Sequence, residues 1–150
     1  AGGATCSMRY PLLVWFLAVC TLWLSGAAWS GSDLDIRRSG SMWARVESDG
    51  TIRIDGSMKG RIESDGTVRR NGSSVGRIES DGTIRENGSM IGRVESDGTL
   101  RRNGSSIGRI ESDGTIRKNG SMWGRAEGFS DGSEDRARVA AVLYFFSGDF

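Results

Sequence analysis

The chain has 150 residues, including 23 glycines and one proline, and it contains no histidine. Its 20 basic residues nearly balance 19 acidic ones, so it lacks the excess positive charge that nucleic-acid binding requires. Because histidine is absent, a Ser-His-Asp catalytic arrangement is excluded, and one small domain is expected.

The N-terminal region has the pattern of a secretory signal peptide. Residues 1–7 form an upstream extension without a recognisable pattern, and residues 8–30 combine a short basic start, the apolar run 12–24 and small residues. Cleavage is expected after Ala28 or Ser30. The alternative is an uncleaved membrane anchor, since the run is nearly long enough to span a bilayer. We therefore expect secretion or export to the cell envelope, with no membrane span in the mature chain.

Both cysteines lie in or before this segment. The mature chain is therefore expected to have neither a disulfide bond nor thiol chemistry. The residues before Cys20 loosely match a lipoprotein cleavage site, although Val19 fits poorly, and a lipid anchor at Cys20 is the less favoured alternative. Removal of the leader takes away Arg9 alone among the charged residues, and the remaining 19 basic and 19 acidic residues cancel.

A sixteen-residue repeat fills the middle of the chain, and the copy at 76–91 reads GRIESDGTIRENGSMI. A fixed period this short indicates one small unit that must stack on its neighbours to bury its apolar face. We expect residues 31–127 to form one β-hairpin repeat domain. The copies begin at Ala44, Gly60, Gly76, Gly92 and Gly108.

Two turn signals divide each repeat into a long and a short strand. In the copy 60–75 the first signal is Ser64-Asp65-Gly66. A three-residue loop that ends in a left-handed glycine sets Ile62 opposite Val68, whereas a two-residue loop would place them on opposite faces. The three-residue loop is therefore predicted, because it gives the repeat one apolar face.

The second signal, Asn71-Gly72, is typical of a two-residue type I′ turn. This turn sets Val68 opposite Val75, which places three apolar residues of each repeat on one face. Val75 and Ile78 are three residues apart, so both can face inward only if the strand bulges between them, where Gly76 lies. The result is a meander of bent hairpins around an axis.

The two ends of the repeat region complement each other. Residues 32–43 form a degenerate half repeat, and the last copy is followed by the start of a sixth long strand that lacks a short partner. Pairing of 125–127 with 35–37 would close the sheet and leave no exposed edge. The short strands would then be centred on Ile36, Ile52, Val68, Ile84, Leu100 and Ile116.

The third apolar position of the repeat varies. Closure would bring the two tryptophans at this position together, and we expect them to pack rather than to form a ligand platform. The sequence gives no reason for the lysine. The position is occupied by Trp43, Lys59, Val75, Ile91, Ile107 and Trp123.

The C-terminal region consists of a linker and an apolar tail. Residues 128–135 are rich in glycine, serine and acidic side chains, as linkers are. In the tail, 136–150, the stretch 139–146 is continuously apolar and shows neither a helical stripe nor alternation, so burial on all sides is expected. We predict that this segment packs at the centre of the ring as a plug.

The repeated motif (I/V)GR(I/V)ESDGT(I/V/L)RxNGS, the leader and the terminal AAVLYFF resemble the small secreted β-flower proteins of bacteria, which have four-fold and five-fold forms. The resemblance covers 32–146 and implies hairpins arranged radially about an axis, with no established activity. The predicted fold is all-β, a closed radial meander of about five to six hairpin repeats. With six short strands, either the half repeat lies outside a five-fold ring or the ring is larger.

Charged residues recur identically on the other face of the repeat. One arginine series lies two positions before a glutamate, and a second series is predicted to lie opposite the first, with the glutamates offsetting the repulsion. A solvated face is the simplest interpretation. The alternative is a surface for an acidic glycan, phosphate or carboxylate, to which repeated weak sites would give avidity. The candidate ligand-binding residues are Arg61, Arg69, Arg77, Arg85, Arg93, Arg101, Arg109 and Arg117.

No enzyme, metal or cofactor is predicted. Each ESDG turn offers two carboxylates on different faces, which makes calcium a minor alternative, and carboxylates repeated in every unit suit a scaffold better than one active site. We expect an exported non-catalytic scaffold that serves as a binding or structural module, with an acidic glycan or an envelope protein as partner. The alternative is a linear hairpin solenoid, anchored to wall or membrane, that binds acidic glycans through its arginines.

Overall fold

The computed structural model describes residues 32–150, so the predicted leader and both cysteines lie outside the described residues. Within this range the chain forms short strands followed by one helix. The strands are β1 Leu34–Arg38, β2 Ser41–Val46, β3 Thr51–Ile54, β4 Ser57–Ile62, β5 Thr67–Arg70, β6 Ser73–Ile78, β7 Thr83–Glu86, β8 Ser89–Val94, β9 Thr99–Arg102, β10 Ser105–Ile110, β11 Thr115–Lys118 and β12 Ser121–Glu127, and the helix is α1 Ser133–Phe146.

The twelve strands form one closed antiparallel barrel in which sequence neighbours pair. β1 closes the barrel by pairing with β12, and Ile36 lies opposite Ala126 in the predicted register. The linear solenoid is therefore wrong, because the terminal strands hydrogen-bond to each other instead of presenting free edges.

The two predicted turn types are confirmed. In the first turn, Gly66 has φ +87° and its amide donates to the Glu63 carbonyl at 2.9 Å, and Ile62 lies opposite Val68. In the second, Asn71 and Gly72 have φ of 50° and 84°, as a type I′ turn requires. Glycine is needed in the first turn for a further reason, since a Cβ on Gly66 would overlap the carbonyl oxygen of Ile78.

The bulge lies one residue earlier than predicted. Val68 pairs with Gly76 and Arg69 pairs with Ser74, so the expected pairing of Val68 with Val75 is wrong and Val75 is the extra residue. Glycine at 76 allows this register because a Cβ there would overlap the Arg85 carbonyl oxygen and the Phe145 ring. The bulged side chain is half-buried, not fully buried.

The bulge position also explains why the repeat tolerates a lysine. Lys59 occupies it and its side chain is exposed, whereas apolar residues there are half-buried against the core. At the barrel seam the same position holds Trp43 and Trp123, whose rings meet edge to face with centroids 5.4 Å apart. The predicted tryptophan contact is therefore confirmed.

The apolar core joins the strands to the helix. Val139 to Leu143 are fully buried, in the same cluster as the inward side chains of the strands. The helix begins at Ser133, inside the segment assigned to the linker. The strand residues that are buried in this cluster are Leu34, Ile36, Ala44, Val46, Ile52, Ile62, Val68, Ile78, Ile84, Val94, Leu100, Ile110, Ile116 and Ala126.

A buried arginine links the helix to the backbone beside the first two strands through hydrogen bonds. The sequence pattern did not predict this arginine's burial or its contacts. Arg138 is 2% exposed and donates to the carbonyl oxygens of Ser32 at 2.9 Å and Glu47 at 2.7 Å. Asp135 lies 3.5 Å from the same guanidinium and also accepts hydrogen bonds from Ser130. These contacts satisfy the buried charge.

Candidate ligand-binding surface

The predicted arginines lie in pairs on the outer face of the barrel. Outward positions alternate with the buried ones along each strand, which places the arginines on the side opposite the core. Arg61 pairs in register with Arg69, and Arg77 with Arg85, as the sequence predicted. The same pairing joins Arg93 to Arg101 and Arg109 to Arg117.

Each arginine of the second series forms an ion pair with the glutamate of its own unit. The candidate residues of this series are Arg69, Arg85, Arg101 and Arg117. Arg69 Nε lies 2.6 Å from Glu63 Oε1, and the equivalent distance in the next unit, between Arg85 and Glu79, is 2.9 Å. Most of these arginines also donate through Nη1 to the glycine carbonyl of the type I′ turn, at 3.2 Å from Arg101 to Gly104, for example. The predicted offset of the repulsion by glutamate is confirmed, and it orients these guanidinium groups.

The first series is exposed and differently placed. Arg61, Arg77, Arg93 and Arg109 take part in none of the ion pairs seen within residues 32–150. The hydrogen bonds of the preceding ESDG turn lower the pKa of its aspartate, and each of these arginines lies close enough to add a smaller contribution in the same direction. The first series is therefore the more available half of each pair.

The turn aspartates also stabilise the turns by accepting a backbone hydrogen bond. Asp65 Oδ1 accepts the Thr67 amide at 2.9 Å. This hydrogen bond is the main reason that the pKa of Asp65 lies below its ordinary value of 3.8, with the Arg77 charge as a smaller cause. The carboxylate closes the turn, which is the usual role of aspartate in such loops.

Toward the ESDG turns the arginines are flanked by carboxylates. Arg93 lines an open cleft of about 420 Å³ with Asp81, Glu95 and Asp97. An equivalent cleft of about 440 Å³ surrounds Arg109. A ligand at this end would meet charges of both signs, so strong anion binding is not favoured there.

A further cleft of about 390 Å³ lies where the helix starts, between the turns of neighbouring units. Five carboxylates and one arginine line it, together with the apolar Ile78 and Val94; the charged residues are Asp65, Glu79, Asp81, Glu95, Glu134 and Arg136. Sequence reasoning missed this cleft because it depends on how the helix enters the barrel. Its acidic lining does not suit an anionic ligand.

In the part of the chain that the structure describes, no three residues of the types that ligate metals lie close enough together to hold an ion. None of the helices in residues 32–150 has the length and apolar character needed to cross a membrane.

The geometry of the repeat agrees with a comparison against protein families. A family model described as 5-fold beta-flower protein matches residues 36–147. The chain belongs to the five-fold beta-flower family. The match starts in β1 and ends just after α1, so it includes the closing strands and the helix of this beta-flower. No curated protein and no solved structure matches the chain.

The beta-flower repeat indicates a small, non-enzymatic scaffold. Five two-stranded units would supply ten strands, whereas the barrel of this beta-flower has twelve. The half repeat and the sixth long strand that the sequence pattern identified account for the difference, since they supply β1, the first half of β2 and the second half of β12.

Proposed function

We propose that this beta-flower is an exported, non-catalytic scaffold that binds acidic glycans through its paired arginines, in the cell envelope or outside the cell. The observation that carries the proposal is the set of four register pairs of arginines, at 61/69, 77/85, 93/101 and 109/117, in which the first member of each pair has no ion-pair partner among the described residues. Guanidinium groups are suited to carboxylate and sulfate because their fork of donors matches two anionic oxygens.

A polymeric ligand is supported by the repetition itself. Equivalent arginine pairs recur around the barrel, and each has a glutamate that reduces its net charge. Single sites of this kind would be weak and sensitive to salt, but a glycan that contacts several of them would gain affinity through avidity.

The proposal includes a role for the helix. The finer arrangement is six two-stranded units around α1, which acts as a central plug. Tail aromatics support this, because Tyr144, Phe145 and Phe146 each lie against the glycine of a different unit. A filled interior would leave the outer face as the surface for recognition.

The test is a binding measurement on the full chain recovered from an exporting host. Immobilised polygalacturonate and heparin are compared with uncharged dextran, at low and high salt. We expect salt-sensitive binding to the acidic polymers alone. Replacement of Arg61, Arg77, Arg93 and Arg109 by glutamine should abolish it, whereas lysine at the same positions keeps the charge and should retain part of it.

Equal binding by the glutamine variant and the native chain, or no binding to any acidic polymer, would overturn the glycan proposal. Export is tested separately by locating the protein after expression and sequencing its N-terminus. We expect the mature chain to start after Ala28 or Ser30. A chain that stays inside the cell with residues 8–30 intact would contradict the export proposal.

A further inference from the structure

One outward position divides the units into two classes. The second residue of each long strand is methionine in four of the six strands and serine in the other two. The methionines are 48% to 64% exposed, unusually high for large apolar side chains. They are Met42, Met58, Met90 and Met122, and the serines are Ser74 and Ser106.

Exposure of the neighbouring residues follows the same division. The threonine that begins the preceding short strand is 6% to 7% exposed at Thr51, Thr83 and Thr115, each of which is followed by a methionine unit. Thr67 and Thr99, which are followed by serine, are more exposed. The glycine two residues after this position follows the same rule: it is buried at Gly60, Gly92 and Gly124 and more exposed at Gly76 and Gly108.

The difference in exposure coincides with the presence of methionine at this position. A methionine side chain is long enough to cover the outer surface beside it, and the neighbouring threonine and glycine are buried wherever it is present. Serine is too short to do so, and the surface beside it stays open. The repeat therefore has covered units and open units.

In the open unit of Ser74 this leaves a cleft of about 230 Å³. Thr67, Ser74 and the backbone of Gly76 line it, together with Arg77 and Arg85. Its volume is below the roughly 300 Å³ at which pockets for drug-sized ligands begin, so it suits a small group.

The two arginines of this cleft are prepared for an anion in different ways. Arg85 is oriented by Glu79 at its Nε and by the Gly88 carbonyl at its Nη1, which leaves Nη2 for a ligand. Arg77, its register partner, takes part in no ion pair within the described range. Two arginines, a threonine and a serine therefore line one small cleft.

We propose that the open units are the anion subsites of the beta-flower, each taking one sulfate or carboxylate group of an acidic sugar. Arg77 and Arg85 bind the anionic oxygens, while Thr67 and Ser74 hydrogen-bond to sugar hydroxyls. The unit of Ser106 carries the same residue types. This inference rests on the proposed glycan binding and deepens it, because it limits binding to two units instead of all equivalent arginine pairs.

The natural methionine units supply the test. In the full chain, Ser74→Met with Ser106→Met covers the cleft at Ser74 and the equivalent surface at Ser106 with a side chain that other units already accommodate. Met58→Ser with Met90→Ser opens two more. Binding of a size-defined heparin oligosaccharide and of a polygalacturonate oligomer is measured by titration calorimetry, which gives both affinity and stoichiometry. All arginines are retained in both variants.

We expect the closed variant to bind at least about tenfold more weakly, and the opened variant to bind about twice as many small oligosaccharides as the native chain. The oligosaccharide that binds identifies sulfate or carboxylate as the preferred group. Unchanged affinity in the closed variant would overturn this inference while leaving the proposed function intact, and no binding by the native chain would overturn both. If the closed variant fails to fold, unchanged stoichiometry in the opened variant overturns the inference by itself.

Discussion

The wall of the barrel and its C-terminal helix are built on opposite plans. In the wall the same contacts recur, and the arginine–glutamate distance stays between 2.6 and 2.9 Å in five units. In the helix each contact occurs once: Tyr144 meets Gly92, Phe145 meets Gly76 and Phe146 meets Gly60. The repeated wall therefore has an equivalent space beside each of these glycines, which we call a notch. A single non-repeating segment fills the notches with different side chains.

The two plans also differ in how they treat charge. The wall keeps its ion pairs near the surface, where each contributes little and its copies remain if one is lost. The helix has a single buried arginine, and its hydrogen bonds hold backbone carbonyls from the first turn and from the start of the described chain. Stability should thus be distributed in the wall and concentrated in the helix.

The strongest test of this contrast compares Arg138→Met with Arg53→Met. Loss of the buried Arg138 leaves three carbonyl oxygens without this donor and Asp135 without its ion pair, and we expect a destabilisation of about 3–5 kcal/mol. Arg53 is 42% exposed and pairs with one glutamate, so its replacement should cost less than about 1 kcal/mol. Urea unfolding followed by tryptophan fluorescence measures both. Equal losses would show that the helix is anchored no more specifically than the wall.

A smaller effect is expected when a notch is filled. Gly76→Ala places a methyl group against the Phe145 ring and the Arg85 carbonyl oxygen, and overpacking of this kind costs about 1–3 kcal/mol. Ala44 is the natural control, because the first unit already has alanine at the equivalent position and buries it.

Ala44→Gly should therefore lower stability by only about 0.5–1 kcal/mol, through backbone entropy. Both variants are measured by the same urea titration. Stability of Gly76→Ala equal to that of the native chain would mean that both the Phe145 ring and the Arg85 backbone shift without cost.

The contrast explains what the sequence could and could not predict. The turns, the inward face and the closing strand pair follow from spacing that repeats, so a register error in one copy would have been an error in all. The misplaced bulge is such an error: the assumption that Val75 lies opposite Val68 ignored that Gly76 alone can approach the Arg85 carbonyl. The helix occurs once, and its continuous apolar run predicted burial without showing its conformation.

The candidate site also has features that the sequence predicted and one that it did not. Pairing of Arg77 with Arg85 followed from the register, and the offset by Glu79 followed from charge spacing. The cleft in the unit of Ser74 could not be predicted from the arginines, because it depends on a change from methionine to serine in the neighbouring strand. That change is visible in the sequence, but only the structure shows that the threonine and glycine beside the serine become more exposed.

An alkaline titration tests the helix alone. Tyr144 donates its hydroxyl to the Arg101 carbonyl at 2.5 Å, and burial raises the pKa of this phenol from 10.0 to about 12. Because the pKa of this phenol is higher in the folded chain than in the unfolded chain, its contribution to stability is complete below pH 10. That contribution is lost as the pH rises toward 12. We expect Tyr144→Phe to show less loss of stability than the native chain between pH values of about 10 and 12 in urea unfolding. Parallel pH profiles would contradict this assignment.

An acid titration tests the wall, and its effect per residue is the smallest. The hydrogen bond from the Thr67 amide, assisted by Arg77, lowers the pKa of Asp65, and the same arrangement lowers the pKa of Asp97. For a lowered pKa the stabilisation is present above the ordinary value of 3.8 and is lost as the pH falls through the folded value. The double variant Asp65→Asn with Asp97→Asn should therefore lose less stability than the native chain below about pH 4.

Asp55→Asn is the matched control for this acid titration, because neighbouring units already have asparagine at that turn position. Thermal unfolding at several acidic pH values measures all three proteins. Since five turns carry the same aspartate, two substitutions should reduce the acid sensitivity of the wall only in part. A complete loss of acid sensitivity would mean that two turns dominate, and the wall would then be no more uniform than the helix.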